Sequence, residues 1–348
     1  EELNDIISLL ENIEENGLKE DPETKDWIEK ITSTEFGLVS SCIDLLLENI
    51  KDTKITKNII LVLRKMLFYN PKSVLPQLTS SKDFIQGASS YIIQSKPEES
   101  TQEIFVLFFA FAFNSIGNEE NSELINLQLP EKTVLDASLI NSCLNYIGFI
   151  TSEDTMNLLM KLLAYLHFKQ SNLEHGLKCE GMEQFFESLG KLITVSSKLG
   201  SKEDAVYSDE SKLMVLKLLP NHNKFRLFLE CILRILVNNA FSKQDSLYVM
   251  YLILDLMNFT CSSLFLTADI ESLVDFIIHR LESTNTDVVR LVLLNILERV
   301  AYYPTYAKSN YKKSSLEELM ENHIDSDDVA DSHKTVCETI LSNLKGNY

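Results

Sequence analysis

The chain has 348 residues, 45% of them hydrophobic, enough to bury a substantial core in one long domain or two. Its 51 acids against 32 Lys and Arg give a formal net charge of −19, which argues against a nucleic-acid backbone or an anionic membrane as the main partner. Only 10 Gly and 7 Pro punctuate it, so long helices and few tight β-turns are expected.

Apolar residues recur at three- and four-residue spacing in nearly every segment, and no stretch alternates as a strand does. In chain order, helices are predicted over Leu3–Ile13, Phe36–Ile50, Ile59–Tyr69, Phe84–Ile93, Ile104–Ile116 and Val134–Ile150. They continue over Thr155–Phe168, Met182–Val195, Phe225–Val237, Leu247–Met257, Ile270–Leu281, Asp287–Tyr303 and Val329–Leu344. Capping boxes, in which a Ser or Thr and an acid three residues on satisfy each other's free N–H groups, are expected at Thr32/Glu35, Ser100/Glu103, Thr133/Asp136, Thr151/Asp154 and Ser314/Glu317. Asn285 or Thr286 stands where a side-chain oxygen would cap the Asp287 helix. The apolar run Ile104–Phe113 is too short for a membrane span and reads as a buried central helix. Pro304 disfavours helical geometry at Tyr303 and so ends the helix before it. From Ser314 to Ser332 the sequence is acidic with no Lys or Arg, and the Asp325–Asp328 part reads as a solvated linker.

Successive helix pairs start near Val134, Met182, Phe225, Ile270 and Leu316, at intervals of roughly 40–50 residues, the range of armadillo and HEAT units. The expected fold is therefore all-α, an armadillo/HEAT-like helical-repeat solenoid. Residues 1–348 are expected to form a single continuous domain, with a helical cap over 1–30 and C-terminal helices over 314–348.

Catalysis finds little support in the residues. Gly176-Leu-Lys-Cys-Glu-Gly181 has the glycine spacing of a phosphate loop, but Met182 follows where Lys and then Ser or Thr are required. None of the six histidines sits in HExxH, and no Cys/His set has zinc spacing. Asp325-Ser-Asp327-Asp328 lacks the turn glycine and terminal Glu of a calcium loop. No GxSxG turn presents a nucleophile, and paired acids such as Glu119/Glu120 and Glu317/Glu318 fall on polar segments. We expect no enzymatic activity, no cofactor and no metal. The six cysteines lie far apart among mostly apolar neighbours, as reduced thiols of a cytoplasmic protein do.

A binding surface is the better expectation. Arg226, Arg234, Arg280, Arg290 and Arg299 fall within one part of the chain, the only other arginine being Arg64. A planar guanidinium grips carboxylates two-pronged and tolerates desolvation, so these five on adjacent helices would form a face for an acidic helix. Pairing of Arg290 or Arg299 with Asp287, Glu298 or Asp275, and of Arg280 with its helix dipole, is the alternative.

The stretch Leu254–Tyr306 carries a family resemblance. Its features are Asn258, then Phe265-Leu266-Thr267-Ala268-Asp269, then Leu273-Val274-Asp275-Phe276-Ile277-Ile278-His279-Arg280-Leu281, followed by Arg290, Leu294, Arg299 and Tyr306. This block resembles the C-terminal armadillo-type domain of the WISH/DIP/SPIN family, WASP-independent activators of the actin-related protein 2/3 complex. The family often has an aromatic residue where Leu266 stands and Asn where Ala268 stands. The resemblance implies the actin-related protein 2/3 complex as partner, actin indirectly, and activation without a preformed filament, giving linear seed filaments at cortical and endocytic actin patches. It adds Asp269 and Tyr306 to the five arginines as candidate contact residues. The alternative is a generic armadillo-like cytosolic adaptor that binds peptides or GTPases in trafficking. Neither reading involves nucleic acid or membrane insertion.

Overall fold

The computed structural model describes residues 21–49, 52–81, 153–177, 182–200, 214–220, 223–237, 243–259, 265–284 and 286–346, with Ile6, Ser8 and Asn145 singly. Every regular element among them is a helix, and the described residues contain no strand. The helices are α1 (Pro22–Thr32), α2 (Leu38–Glu48), α3 (Thr53–Tyr69), α4 (Pro71–Ser80), α5 (Glu153–Glu174), α6 (Met182–Gly200) and α7 (Met214–Leu218). They continue as α8 (Phe225–Val237), α9 (Lys243–Phe259), α10 (Thr267–Ser283), α11 (Asp287–Tyr302), α12 (Pro304–Ser309), α13 (Lys313–Asp325) and α14 (Asp331–Lys345). None of them is long and apolar enough to cross a membrane. The predicted helices over Phe84–Ile93 and Ile104–Ile116, all of Val134–Ile150 but Asn145, the capping boxes at Ser100, Thr133 and Thr151, and most of Leu3–Ile13 lie outside the described residues. Packing divides the chain into two compact units, the first ending at Leu162 and the second beginning at Leu163, within α5.

In the first unit α1 to α4 pack against one another, and polar side chains fix their ends. Asp21 caps α1 by accepting from the Thr24 amide at 2.9 Å and the Thr24 hydroxyl at 3.0 Å, which holds its carboxyl below the ordinary range. Pro22 takes the first helical position, where no donor is needed. The other end of α1 departs from expectation. Thr32 does not begin a helix with Glu35 but ends α1, buried, its hydroxyl donating to the Ile28 carbonyl at 2.7 Å. Asn70 donates to that hydroxyl, and Ser73 and Gln77 of α4 donate to the Thr32 carbonyl at 2.7 and 2.8 Å. A local capping motif thus loses to partners about forty positions away. Gly37, at φ +72°, turns the chain into α2 without a side-chain cap. Trp27 and Tyr69 pack around the buried Ile28.

In the second unit α11 is the centre. It touches α6, α9, α10, α12 and α14, and ten of its sixteen residues are buried, so apolar residues face almost all round it. An aromatic group joins α5, α6 and α9. Phe168 lies 5.3 Å from Phe185 and 5.0 Å from Tyr248 between ring centroids, the second contact edge-on. Beside it His167 donates or accepts at Nε2 with Asp255 Oδ2 at 2.8 Å, and its ring stacks on Tyr251. Cys231 and Cys337 here, and Cys42 in the first unit, are buried free thiols; burial pushes the Cys42 and Cys337 thiols up to about 12.

Tyr303 is extended (φ −73°, ψ 127°), so α11 stops at Pro304 and α12 starts there. Thr286 does occupy the position before α11, but its side chain makes no capping bond. Nor does Ser314 cap α13: the helix begins one residue earlier, after Lys312 in the left-handed region, and Ser314 lies inside the first turn. The acidic stretch from Ser314 ends in the linker expected over Asp325–Asp328. Through Asp325 it is helical, because Leu316 and Met320 supply a buried stripe against α14, and only Ser326–Ala330 connects the two helices.

Candidate functional site

The seven candidate residues of the sequence all belong to the second unit, and their environments differ sharply. Arg226, on α8, meets Asp269 in the first turn of α10. Its Nη1 and Nη2 donate to the two carboxylate oxygens at 2.5 and 2.9 Å, and its Nε donates to Glu230 at 2.9 Å. Asp269 also accepts from the Leu266 amide at 2.7 Å, so one carboxylate closes the start of α10 and ties it to α8. These bonds, that to Asp269 first, raise the Arg226 pKa further. Replacing Asp269 by Ala removes a cap and a two-pronged partner together, and the expected loss is about 1–2 kcal/mol. Urea unfolding measures it; Asp269→Asn, which keeps the cap acceptor, should recover about half of that loss.

Arg290 and Arg299 are inside. Arg290 is 8% exposed, with Nη1 3.3 Å from Asp287 and Nη2 donating to the Thr284 carbonyl at 3.3 Å. Arg299 is 7% exposed and lies 3.7 Å from Glu298, whose carboxyl is raised by burial against the pull of Arg299. Arg280 leans over the Phe276 ring at 5.9 Å, its Nε sealed from solvent. Tyr306 is buried at 2% exposure. Burial and the nearby Glu317 carboxylate raise its hydroxyl to about 12. It borders a cavity of about 200 Å³ shared with Ala307, Asn310, Lys313 and Asn343, yet its hydroxyl and Asn343 Nδ2 are sealed from solvent. The five arginines therefore do not form one face. Arg226 and Arg234 share α8; the others are bound up in packing.

Arg234 is exposed, and among the described residues no carboxylate pairs with it. Successive helical residues turn by about 100°, which brings Leu227, Glu230, Arg234 and Val237 onto one face of α8, with Arg226 at its margin. Leu227 and Val237 are 37% and 40% exposed, unusual for large aliphatic side chains in a chain with so full a core. Two apolar side chains and an unpaired guanidinium on one helical stripe can receive a helix that offers apolar residues and a carboxylate at matching spacing. The two exposed aliphatic residues went unremarked in the sequence because a hydrophobic residue in a helical pattern is assigned to the core. The signal available was that α8 is apolar on more than one face.

Leu266 and Tyr302, 52% and 49% exposed, flank the edge-on contact of Phe265 with Tyr303 at 5.8 Å, where the start of α10 meets the end of α11. Tyr311 and Lys312 both reach Asp275 of α10, at 3.2 and 2.8 Å. Among the described residues no cluster of His, Cys, Asp and Glu could hold a metal ion. The chain matches no protein-family model, and no curated protein is significantly similar to it.

Proposed function

We propose that the chain is an armadillo/HEAT-like solenoid that binds and activates the actin-related protein 2/3 complex in the cytoplasm, as WISH/DIP/SPIN proteins do. It would act without a preformed filament and yield linear seeds for cortical and endocytic actin assembly. The observation that carries the reading is the build of the segment bearing the resemblance. Phe265 to Tyr306 runs through α10, α11 and into α12, which pack on one another, with Asp269 closing the entry and Tyr303-Pro304 closing the exit. Its sequence features are thus features of one supersecondary unit. The α8 stripe, tied to that unit through Arg226 and Asp269, offers the contact surface.

Activation of this kind is a population shift. To move a complex from one part active in a hundred to ninety-nine, an activator must prefer the active state by about 5.5 kcal/mol, and equal binding to both states does nothing. A rigid helical surface supplies such a preference when it meets two subunits only in their active arrangement. Pyrene-actin assembly with the purified complex, this chain and no preformed filaments is the test. Loss of the lag, with unbranched filaments on imaging, supports the reading. An unchanged lag with no binding in a pull-down refutes it.

The exposed stripe also suits the adaptor reading, because any acidic amphipathic helix fits it. Binding to a helical peptide or GTPase while the actin lag is unchanged selects that alternative. In either case Leu227→Ala with Arg234→Glu should weaken partner binding by about tenfold or more, measured by calorimetry, with no loss of folded stability.

A further inference from the structure

His333 stands in the wrong place for a charge. It lies in the buried seam of α14, a turn before Cys337 and two before Ile340 and Leu341, and is 4% exposed. Its Nδ1 is sealed from solvent and has no hydrogen-bond partner. It occupies the third position of its helix, where the backbone dipole presents its positive end and disfavours an imidazolium. The charged groups that face it are Arg290 and Asp287 from α11 and His323 from α13. Arg290 is buried and already engages Asp287, whose side chain is 70% exposed. That leaves one well-solvated carboxylate against a guanidinium and the His323 imidazole.

We propose that His333 is an acid-sensitive latch: a proton taken up on its imidazole undocks the first turns of α14 from α11 and α13 and uncovers Arg290. The physical cause is the same at each step. A neutral ring packs in the seam as an aromatic residue would, while a charged ring needs water or a carboxylate. With α14 in place the ring is 4% exposed, and the carboxylate that faces it, Asp287, is already engaged by Arg290. His333 accordingly titrates below its ordinary 6.5, chiefly through burial, with Arg290 and His323 adding to it and Asp287 opposing. The undocked state, titrating normally, then binds more protons in mildly acidic solution. The docked state therefore keeps its full advantage above pH 6.5 and loses it as pH falls toward the depressed value. The latch is independent of which partner the protein binds. It would expose a buried guanidinium to acidic ligands in acidified surroundings.

The test is hydrogen exchange by mass spectrometry on the whole chain between about pH 7.5 and 5.5, corrected for the chemical exchange rate. Protection over Asp331–Lys345 should fall by up to tenfold for each pH unit below the ordinary imidazole value, the limit for one proton, while α9 keeps its protection. His333→Gln, which fills the seam without titrating, should flatten that dependence. Equal loss in α9 and α14, or an unchanged slope in His333→Gln, overturns the latch. Should the variant not fold, proton NMR of the His333 ring in the unaltered protein decides. A midpoint below 6.5 that coincides with the loss of α14 protection supports the latch, and a midpoint at or above 6.5 overturns it.

Discussion

Phe168→Ala is expected to lower the stability of the second unit by about 3–5 kcal/mol. The ring is fully buried and meets Phe185, Tyr248 and Tyr251, so α6 and α9 both close upon it. Truncation removes its own transfer free energy, leaves a cavity the surrounding rings cannot fill without breaking their edge-on geometry, and forfeits pair terms of about 0.5–1.5 kcal/mol each. Phe168→Leu, which fills most of the space, should recover more than half of the loss. Guanidinium unfolding followed by near-ultraviolet circular dichroism measures both. A loss under about 1.5 kcal/mol for the alanine variant would mean that the cluster collapses freely and is not a rigid joint.

Asp255→Ala should cost about 3–5 kcal/mol for a different reason. His167 is wholly enclosed, its Nδ1 is already without a hydrogen bond, and Asp255 holds its other nitrogen. Removing the carboxylate leaves an imidazole stacked on Tyr251 with neither nitrogen satisfied. The informative comparison is the double variant His167→Leu with Asp255→Leu. It removes both polar groups and adds packing, so it should lie far closer to the parent than Asp255→Ala does, or exceed it by about 1–4 kcal/mol. That asymmetry would identify the pair as a register device between α5 and α9 and not a source of net stability. A double variant as unstable as the single one would reject this account, because the loss would then come from misfitted volume.

Helices whose apolar period is bracketed by turn chemistry were legible in sequence. The α8 bounds were read at both ends, and α11 was placed to within a residue because Pro304 fixes its exit. The α4 helix was not among those predicted, and it carries two prolines, Pro71 and Pro76. Pro71 in fact starts the helix, and tertiary bonds to Thr32 hold the rest. The Thr32 cap failed for a related reason: a four-residue motif states what can pair locally and is silent on whether a distant side chain offers a better partner. The Ser314 cap failed because its helix begins one residue earlier, at Lys313. The arginines divide the same way. Their clustering in sequence was real, but burial of Arg290 and Arg299 depends on what α6, α9 and α14 lay over α11, which no local pattern contains. His167 and Asp255 are 88 residues apart and nothing in the sequence links them.

The tryptophan that packs beside Ile28 is the only one in the chain, and it belongs to the first unit. The second unit holds the aromatic group around Phe168 and most of the tyrosines. The intact molecule thus carries a separate optical label for each half. Indole emission follows the segment before Leu163, and the tyrosine band chiefly follows the segment after it. One titration of the undivided chain read at both signals reveals whether the halves melt together, and a substitution in either half declares by its signal where its damage stops.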